Sequence, residues 1–333
     1  MIVRPKCFYY LLQILIAAVV FTGCSPSAKI SHYNAYRFNQ TNTDSIPDGK
    51  VSVTFLGVAS LLIDDGETQL LTDGFVTRPA LLKTAFGKIG SDTSLVKSVI
   101  SKVHINRLKA VFCAHSHYDH AMDAPYMAAF TGARLYGSSS TLNIARGAGL
   151  PENAMEQYQP GKPLHFGKFT VTILNSKHTP ALKILGAKDD VGENITSPLH
   201  QPAKLKEYKE GGAYDILIQH GKHSILIKAS TNFIPEALDS VHADVLFLGV
   251  ATLSKQDTVF QNNYYAQTVS KVHPQILIPI HWDNFFTPLS NNLKPYPKLA
   301  DNVKKDFNFL IRKTGEDKIR FRIMEGFERV VLF

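Results

Sequence analysis

Apolar residues in this chain come in short runs broken by turn residues, with a few stretches at helical spacing. Residues 51–55, 60–63 and 69–72 read as three strands, with Asp64-Asp65-Gly66-Glu67 turning between the last two. In residues 91–105, Leu95, Val96, Val99, Ile100 and Val103 recur on one face behind a Ser91-Asp92 cap, which predicts a helix. A strand is expected over 108–113, then helices over 124–130 and 138–148. Residues 164–175 form a second strand group, 214–219 and 224–229 a hairpin about Gly221-Lys222, and 243–250 another strand. A helix over 263–272 leads into a strand over 276–280, residues 301–313 read as a helix, and 318–324 and 329–333 close the chain as strands. Strands first, then strand–helix alternation twice, predict a four-layer αβ/βα sandwich without internal repeats.

The 108–113 strand runs into Ala114-His115-Ser116-His117-Tyr118-Asp119-His120-Ala121-Met122-Asp123. Continued strand geometry would put His115 and His117 on one face, because side chains alternate with period two. Asp119 and His120 would follow past the strand end. Two histidines at that spacing arise by chance in a chain holding 13. His-x-His-x-Asp-His at the end of an apolar strand rarely does, and its donors suit divalent zinc.

This motif resembles the signature of the metallo-β-lactamase superfamily, and further blocks follow in order: Gln69-Leu70-Leu71-Thr72-Asp73-Gly74, then residues 171–180 ending in His178-Thr179-Pro180, then residues 276–283 ending in His281-Trp282-Asp283. The resemblance spans roughly residues 50–285, and each ligand block terminates an apolar strand. Gly57-Val58-Ala59-Ser60 and His281-Trp282-Asp283 look most like the branch of ascorbate-6-phosphate lactonase-like and phospholipase D-like enzymes.

The resemblance implies one metal site of His115, His117 and His178, and a second of Asp119, His120 and His281. In many members a bridging Asp ends the strand that here reads Ile225-Leu226-Ile227-Lys228-Ala229-Ser230-Thr231-Asn232, so Ser230 takes its place. A neutral hydroxyl is a poor zinc ligand, and the expectation is one tightly bound zinc with a weak or empty second site. Asp283 or Asp257 substituting in space is the alternative. Zinc lowers the pKa of bound water to about 7, giving hydroxide to attack an ester, lactone or phosphodiester. Asp119 would orient that water or act as general base. Asp73 would hold the far nitrogen of a metal histidine, the alternative being a turn-capping role. Trp282 is either a pocket wall or core.

The first residues change the picture of where this chemistry happens. Arg4 and Lys6 precede an apolar run over 8–21 and Thr22-Gly23-Cys24, which resembles a bacterial lipoprotein signal cleaved before Cys24. Residues 1–23 are then a signal peptide, Cys24 carries the lipid, 24–49 are a polar tether in which Tyr33 and Tyr36 offer packing groups, and 50–333 are the hydrolase domain. A plain signal peptide or uncleaved anchor is the alternative. Ser25 is not an inner-membrane retention residue, so an outer-membrane, periplasm-facing location is expected in a two-membrane bacterium. Of the three cysteines, Cys7 leaves and Cys24 is acylated, so Cys113 has no disulfide partner and reads as a small buried hydrophobe.

At 333 residues and 44% hydrophobic composition the chain can bury a large single core. The net charge of +8 comes from scattered residues, with modest groups at 204–209 and at Lys304-Lys305. No dense basic run with interleaved aromatics is present, which argues against nucleic acid as a partner. A small-molecule or lipid substrate fits better. Residues 182–212, rich in Gly, Pro and charge, follow the His178 strand and read as a lid or substrate wall, with His200 a surface residue. The expected function is a membrane-anchored zinc hydrolase; the alternatives are a degenerate metal-binding lipoprotein without turnover and a lipid-acting phosphodiesterase.

Overall fold

The structure is a computed structural model, and it describes residues 26–42, 45–180 and 191–333. The signal segment 1–23, Cys24 and the start of the 182–212 stretch lie outside the described residues.

The described residues build two seven-stranded sheets. The first holds β1 (Ser52–Phe55), β2 (Leu61–Asp64), β3 (Gln69–Thr72), β4 (Leu108–Phe112), β5 (Arg134–Gly137) and β6 (Met155–Gln157). The second holds β7 (Leu164–Phe166), β8 (Phe169–Asn175), β9 (Tyr214–His220), β10 (His223–Lys228), β11 (Val245–Gly249), β12 (Ile276–Ile280) and β13 (Arg320–Phe321). The last strand, β14 (Arg329–Val331), returns to the first sheet, and the orders are β14-β1-β2-β3-β4-β5-β6 and β13-β12-β11-β10-β9-β8-β7.

Strand periodicity explains the layering. Leu61, Ile63, Leu70 and Phe112 of the first sheet share one core with Val171, Ile173, Ile216, Ile218, Ile225 and Ile227 of the second. The intervening residues Leu62, Leu71 and Val111 point the other way, into a second core with Val96, Val99, Met127 and Leu142. Those residues belong to the helices Thr93–Lys102, Ala124–Thr131 and Ser139–Gly147, which cover the outer face of the first sheet. Val245–Gly249 and Ile276–Ile280 are buried throughout, as parallel strands covered on both faces must be. Helices Thr258–Tyr265 and Val303–Glu316 bring Tyr264, Phe307 and Leu310 onto them. The result is the αβ/βα sandwich expected from the sequence.

Several elements differ from the sequence reading. The helix expected over 263–272 starts earlier, at Thr258, because Asp257 caps it by accepting from the Phe260 amide at 2.8 Å. It runs on as a π-helical turn over Ala266–Ser270. The strand expected over 318–324 is only Arg320–Phe321. Strands β5 and β6 and a helix over Leu81–Phe86 carry no clear periodic signal, the helix because its apolar residues face solvent.

Within the stretch read as a tether, Ile30–Tyr36 forms a 3-10 helix that packs on the domain. Tyr33 is buried edge-on to Phe307 at 5.1 Å between ring centroids, and Tyr36 meets Phe321 at 5.5 Å. No helix among the described residues is long and apolar enough to cross a membrane.

Candidate metal centre

Three strand ends and one strand-following turn converge at one edge of the sandwich. Past β4, the Ala114 amide donates to Asp73 Oδ1 at 2.8 Å, the Tyr214 amide to the Ala114 carbonyl at 2.8 Å, and the Ser116 amide to the Glu210 carbonyl at 2.9 Å. These bonds fix the backbone on both sides of His115. His117 is still extended, with φ −61° and ψ 156°, and caps the short helix Tyr118–Ala121 that swings Asp119 and His120 inward. His178 follows β8 and His281 follows β12 directly.

The six ligand candidates fall into two groups. His115, His117 and His178 form one and Asp119, His120 and His281 the other, the ligand atoms of each lying within 4.8 Å of one another. The ring centroids of His115 and His120 are 3.9 Å apart, so the two groups adjoin. Asp119 Oδ2 lies 3.5 Å from His120 Nε2 and 3.3 Å from His281 Nε2. Asp73 accepts from His120 Nδ1 at 2.7 Å, with both side chains fully buried.

His281 sits at φ +60°, a left-handed conformation that costs on the order of 1 kcal/mol or more for a non-glycine residue. Its amide donates to the Val58 carbonyl at 2.7 Å, and Val58, itself at φ +52°, donates to Asp283 Oδ1 at 2.8 Å. Asp283 Oδ2 pairs with Arg78 Nη2 at 2.6 Å, both side chains being inaccessible. This chain of contacts holds the strained His281 turn. It also excludes Asp283 as a substitute bridging ligand. Asp257 is excluded too, since it caps a helix on a different cavity, beside Asp306 and Phe309.

Ser230, 4% exposed, ends β10. Its carbonyl accepts from the Asn232 amide at 3.0 Å and from Tyr264 Oη at 3.4 Å. The next two residues hold the His178 turn: the Thr231 amide donates to Thr179 Oγ1 at 2.8 Å, and Asn232 Nδ2 to the His178 carbonyl at 2.7 Å. Among the described residues, neither group contains a carboxylate other than Asp119.

The electrostatics separate the histidines. Burial and then the neighbouring His120, His178, His117 and His281 hold His115 well below the ordinary histidine value. Burial also disfavours charge on His120, but Asp73 and Asp119 outweigh it and raise its pKa. For Asp119 burial pushes upward, yet His120, then the hydrogen bond and charge of His281, pull the carboxyl below the usual carboxylate range. Buried ring nitrogens of His115, His120 and His281 lack hydrogen-bond partners among the described residues. An orphaned Nε2 on His120, with its other nitrogen bound to Asp73, is the donor a cation requires. The residues present therefore fit a divalent metal.

Two cavities open at this centre. One of about 330 Å³ is lined by His117, His178, His281, Pro180, Phe285 and Phe286. The other, of about 780 Å³, meets His117 and Asp119 and is walled by Phe86, Lys204, Lys206 and Tyr208. The described part of the 182–212 stretch thus supplies a wall, anchored by buried Ile195, Leu199, Ala203 and Tyr208. His200 is exposed and lies 3.1 Å from the Gly147 carbonyl. Trp282 is fully buried against Phe307, so it is core; Phe285 and Phe286 form the aromatic wall instead. Cys113 is buried, and burial, with Asp73 nearby, pushes its thiol pKa well up, which removes it as a nucleophile. Arg78, Asn232 and Phe285 carry no sequence signal of their own beyond closeness to the motif blocks.

A search of curated proteins finds no significant sequence match. Among solved structures, Igni18, a metallo hydrolase from the archaeon Ignicoccus hospitalis, is similar at a TM-score of 0.53 and 14% identity, covering 85% of this chain and 99% of that one. An isothiocyanate hydrolase from Delia radicum gut bacteria is similar at 0.52 and 12%, covering 84% and 99%. CmlA, a diiron β-hydroxylase from Streptomyces venezuelae, is similar at 0.52 and 14%, covering 86% of this chain and 54% of that one. At these identities the likeness shows the fold. The profile described as "Beta-lactamase superfamily domain" matches residues 93–282, more than half of the sequence. The chain belongs to the beta-lactamase superfamily, and its two sheets with their helices have the metallo-β-lactamase fold.

Proposed function

We propose that the metal is zinc, one ion held tightly by His115, His117 and His178 with a second position weak or empty, and that the enzyme cleaves an ester, lactone or phosphodiester bond. The observation that carries this reading is the donor set: three histidines in one group, and a single carboxylate, Asp119, in the other. Three histidines with an open fourth position are a catalytic zinc arrangement. When bound, the zinc supplies Lewis acidity that brings the pKa of water to about 7.

The remaining work falls to the chain. Asp119, kept ionised by His120 and His281, accepts a proton at Oδ2 and orients the attacking water. Asp73 fixes the His120 tautomer with the hydrogen on Nδ1, leaving Nε2 as a lone-pair donor. The Arg78–Asp283–Val58 contacts hold His281 in its strained turn. Phe285, Phe286 and Pro180 seat the apolar part of the substrate and keep water away from it. Lysines at the mouth of the larger cavity favour anionic substrates, small or lipid.

A lipid on Cys24 would hold the enzyme at a membrane surface, on the periplasmic side of the outer membrane where two membranes exist. Nucleic acid is not a partner in this reading. The test is turnover of soluble aryl esters, lactones and aryl phosphodiesters by the full chain, before and after chelation and zinc restoration. Zinc-dependent turnover of any class supports the proposal. Full zinc loading without turnover on soluble or lipid substrates would leave a metal-binding protein without activity.

A further inference from the structure

The helix Leu81–Phe86 is turned inside out. Its one buried residue is Thr84, whereas Leu81, Leu82 and Phe86 are 54%, 73% and 85% exposed. A soluble surface normally hides such side chains, and contiguous apolar exposure marks an interaction site. The patch extends across the chain: the Ile89 and Ala203 backbones bond reciprocally at 2.8 and 2.9 Å. That bridge sets the helix beside residues 204–209, where Leu205 is 42% exposed.

Charge frames the patch. Lys83, Lys88, Lys204 and Lys206 are exposed and form no ion pair among the described residues, while Lys209 pairs with Glu193. Phe86, Lys204, Leu205 and Lys206 also line the larger cavity that reaches His117 and Asp119. Apolar tips ringed by exposed lysines are complementary to an anionic bilayer, with the rings and leucines in the acyl boundary and the ammonium groups among the headgroups. We propose that the Leu81–Phe86 helix and the 204–206 segment form a docking surface for an anionic lipid bilayer, which sets the mouth of the catalytic cavity against the membrane. The patch stands on its own exposure and charge, so it holds or fails independently of the bond the enzyme cleaves.

The sequence contains a single tryptophan, Trp282, which is fully buried. A Phe86→Trp variant of the full chain therefore carries one local reporter over a constant background. The variant is mixed with vesicles of phosphatidylcholine and phosphatidylglycerol, with phosphatidylcholine vesicles alone, and with both types carrying brominated acyl chains. The expected result is a blue shift of emission and bromine quenching on the phosphatidylglycerol vesicles, weaker on phosphatidylcholine alone. Replacing Lys204 and Lys206 by Ala in that variant is expected to weaken the response about fivefold per lysine. Emission unmoved on both vesicles overturns the proposal. Equal shifts on both overturn the anionic assignment, and a blue shift that grows with protein concentration without vesicles assigns the face to a second copy of the chain instead.

Discussion

Asp73 Oδ2 lies 2.7 Å from His120 Nδ1, deep enough that neither side chain touches solvent. The contact decides which His120 nitrogen carries the hydrogen, and so which one faces Asp119. Asp73 also accepts from the Ala114 amide, tying the tautomer to the backbone before His115. Asp73→Asn keeps the shape but offers an amide that can present hydrogen to Nδ1. Metal affinity is expected to fall about 10–100-fold, measured by competition with a chromophoric chelator.

Lys228, two residues before Ser230, places its Nζ 2.9 Å from Asp215 Oδ2 and 2.9 Å from the Oγ of Ser176, two residues before His178. Burial raises the Asp215 pKa, and Lys228 opposes it. Lys228→Met strands a buried carboxylate and is expected to lower stability by about 3–5 kcal/mol in denaturant unfolding. Adding Asp215→Leu is expected to recover most of that loss.

Gly57 is at φ +81°, and a Cβ there would lie 1.7 Å from Arg78 Nη2. Gly57→Ala must therefore displace the guanidinium from Asp283 and loosen the His281 turn. The expected outcome is a stability loss above about 3 kcal/mol by denaturant unfolding, together with weaker metal binding at the His281 group.

Asp306 is buried, and burial, then the charge of Asp301, raises its carboxyl well above the ordinary 3.8. A folded-state pKa above the unfolded one means the native state holds the proton more tightly. That stabilisation is complete below 3.8 and is lost as pH rises through the raised folded value. Asp306→Asn escapes this loss. Thermal unfolding is expected to show the variant gaining on the wild type as pH rises from about 4 to about 8, by roughly 1–2 kcal/mol at the upper end. A gap that shrinks over this range would contradict the assignment.

The metal-ligand candidates were legible because chemistry and pattern coincide at them: each histidine block ends an apolar strand, and few residue types can hold a metal. The sandwich was legible for a related reason, since short continuous apolar runs such as Val245–Gly249 and Ile276–Ile280 mark strands buried on both faces. What holds the ligands in place was hidden. Arg78 and Asp283 are 205 residues apart in irregular segments, and no periodicity links them. Asn232 reaches the His178 carbonyl from a turn whose only sequence mark is its place after Ser230. The Leu81–Phe86 helix escaped because its apolar residues serve no core, and Trp282 was ambiguous because a lone aromatic beside a ligand can face either way.

The central claim is a metal centre whose second position is weakened by Ser230. Elemental analysis of the full chain after zinc loading and removal of excess, for the wild type and Ser230→Asp, tests it most directly. About one zinc per chain in the wild type and about two in the substituted protein are expected, since a carboxylate can bridge two cations where a hydroxyl cannot. Two in the wild type would contradict the role given to Ser230, and none in either would contradict the metal centre itself.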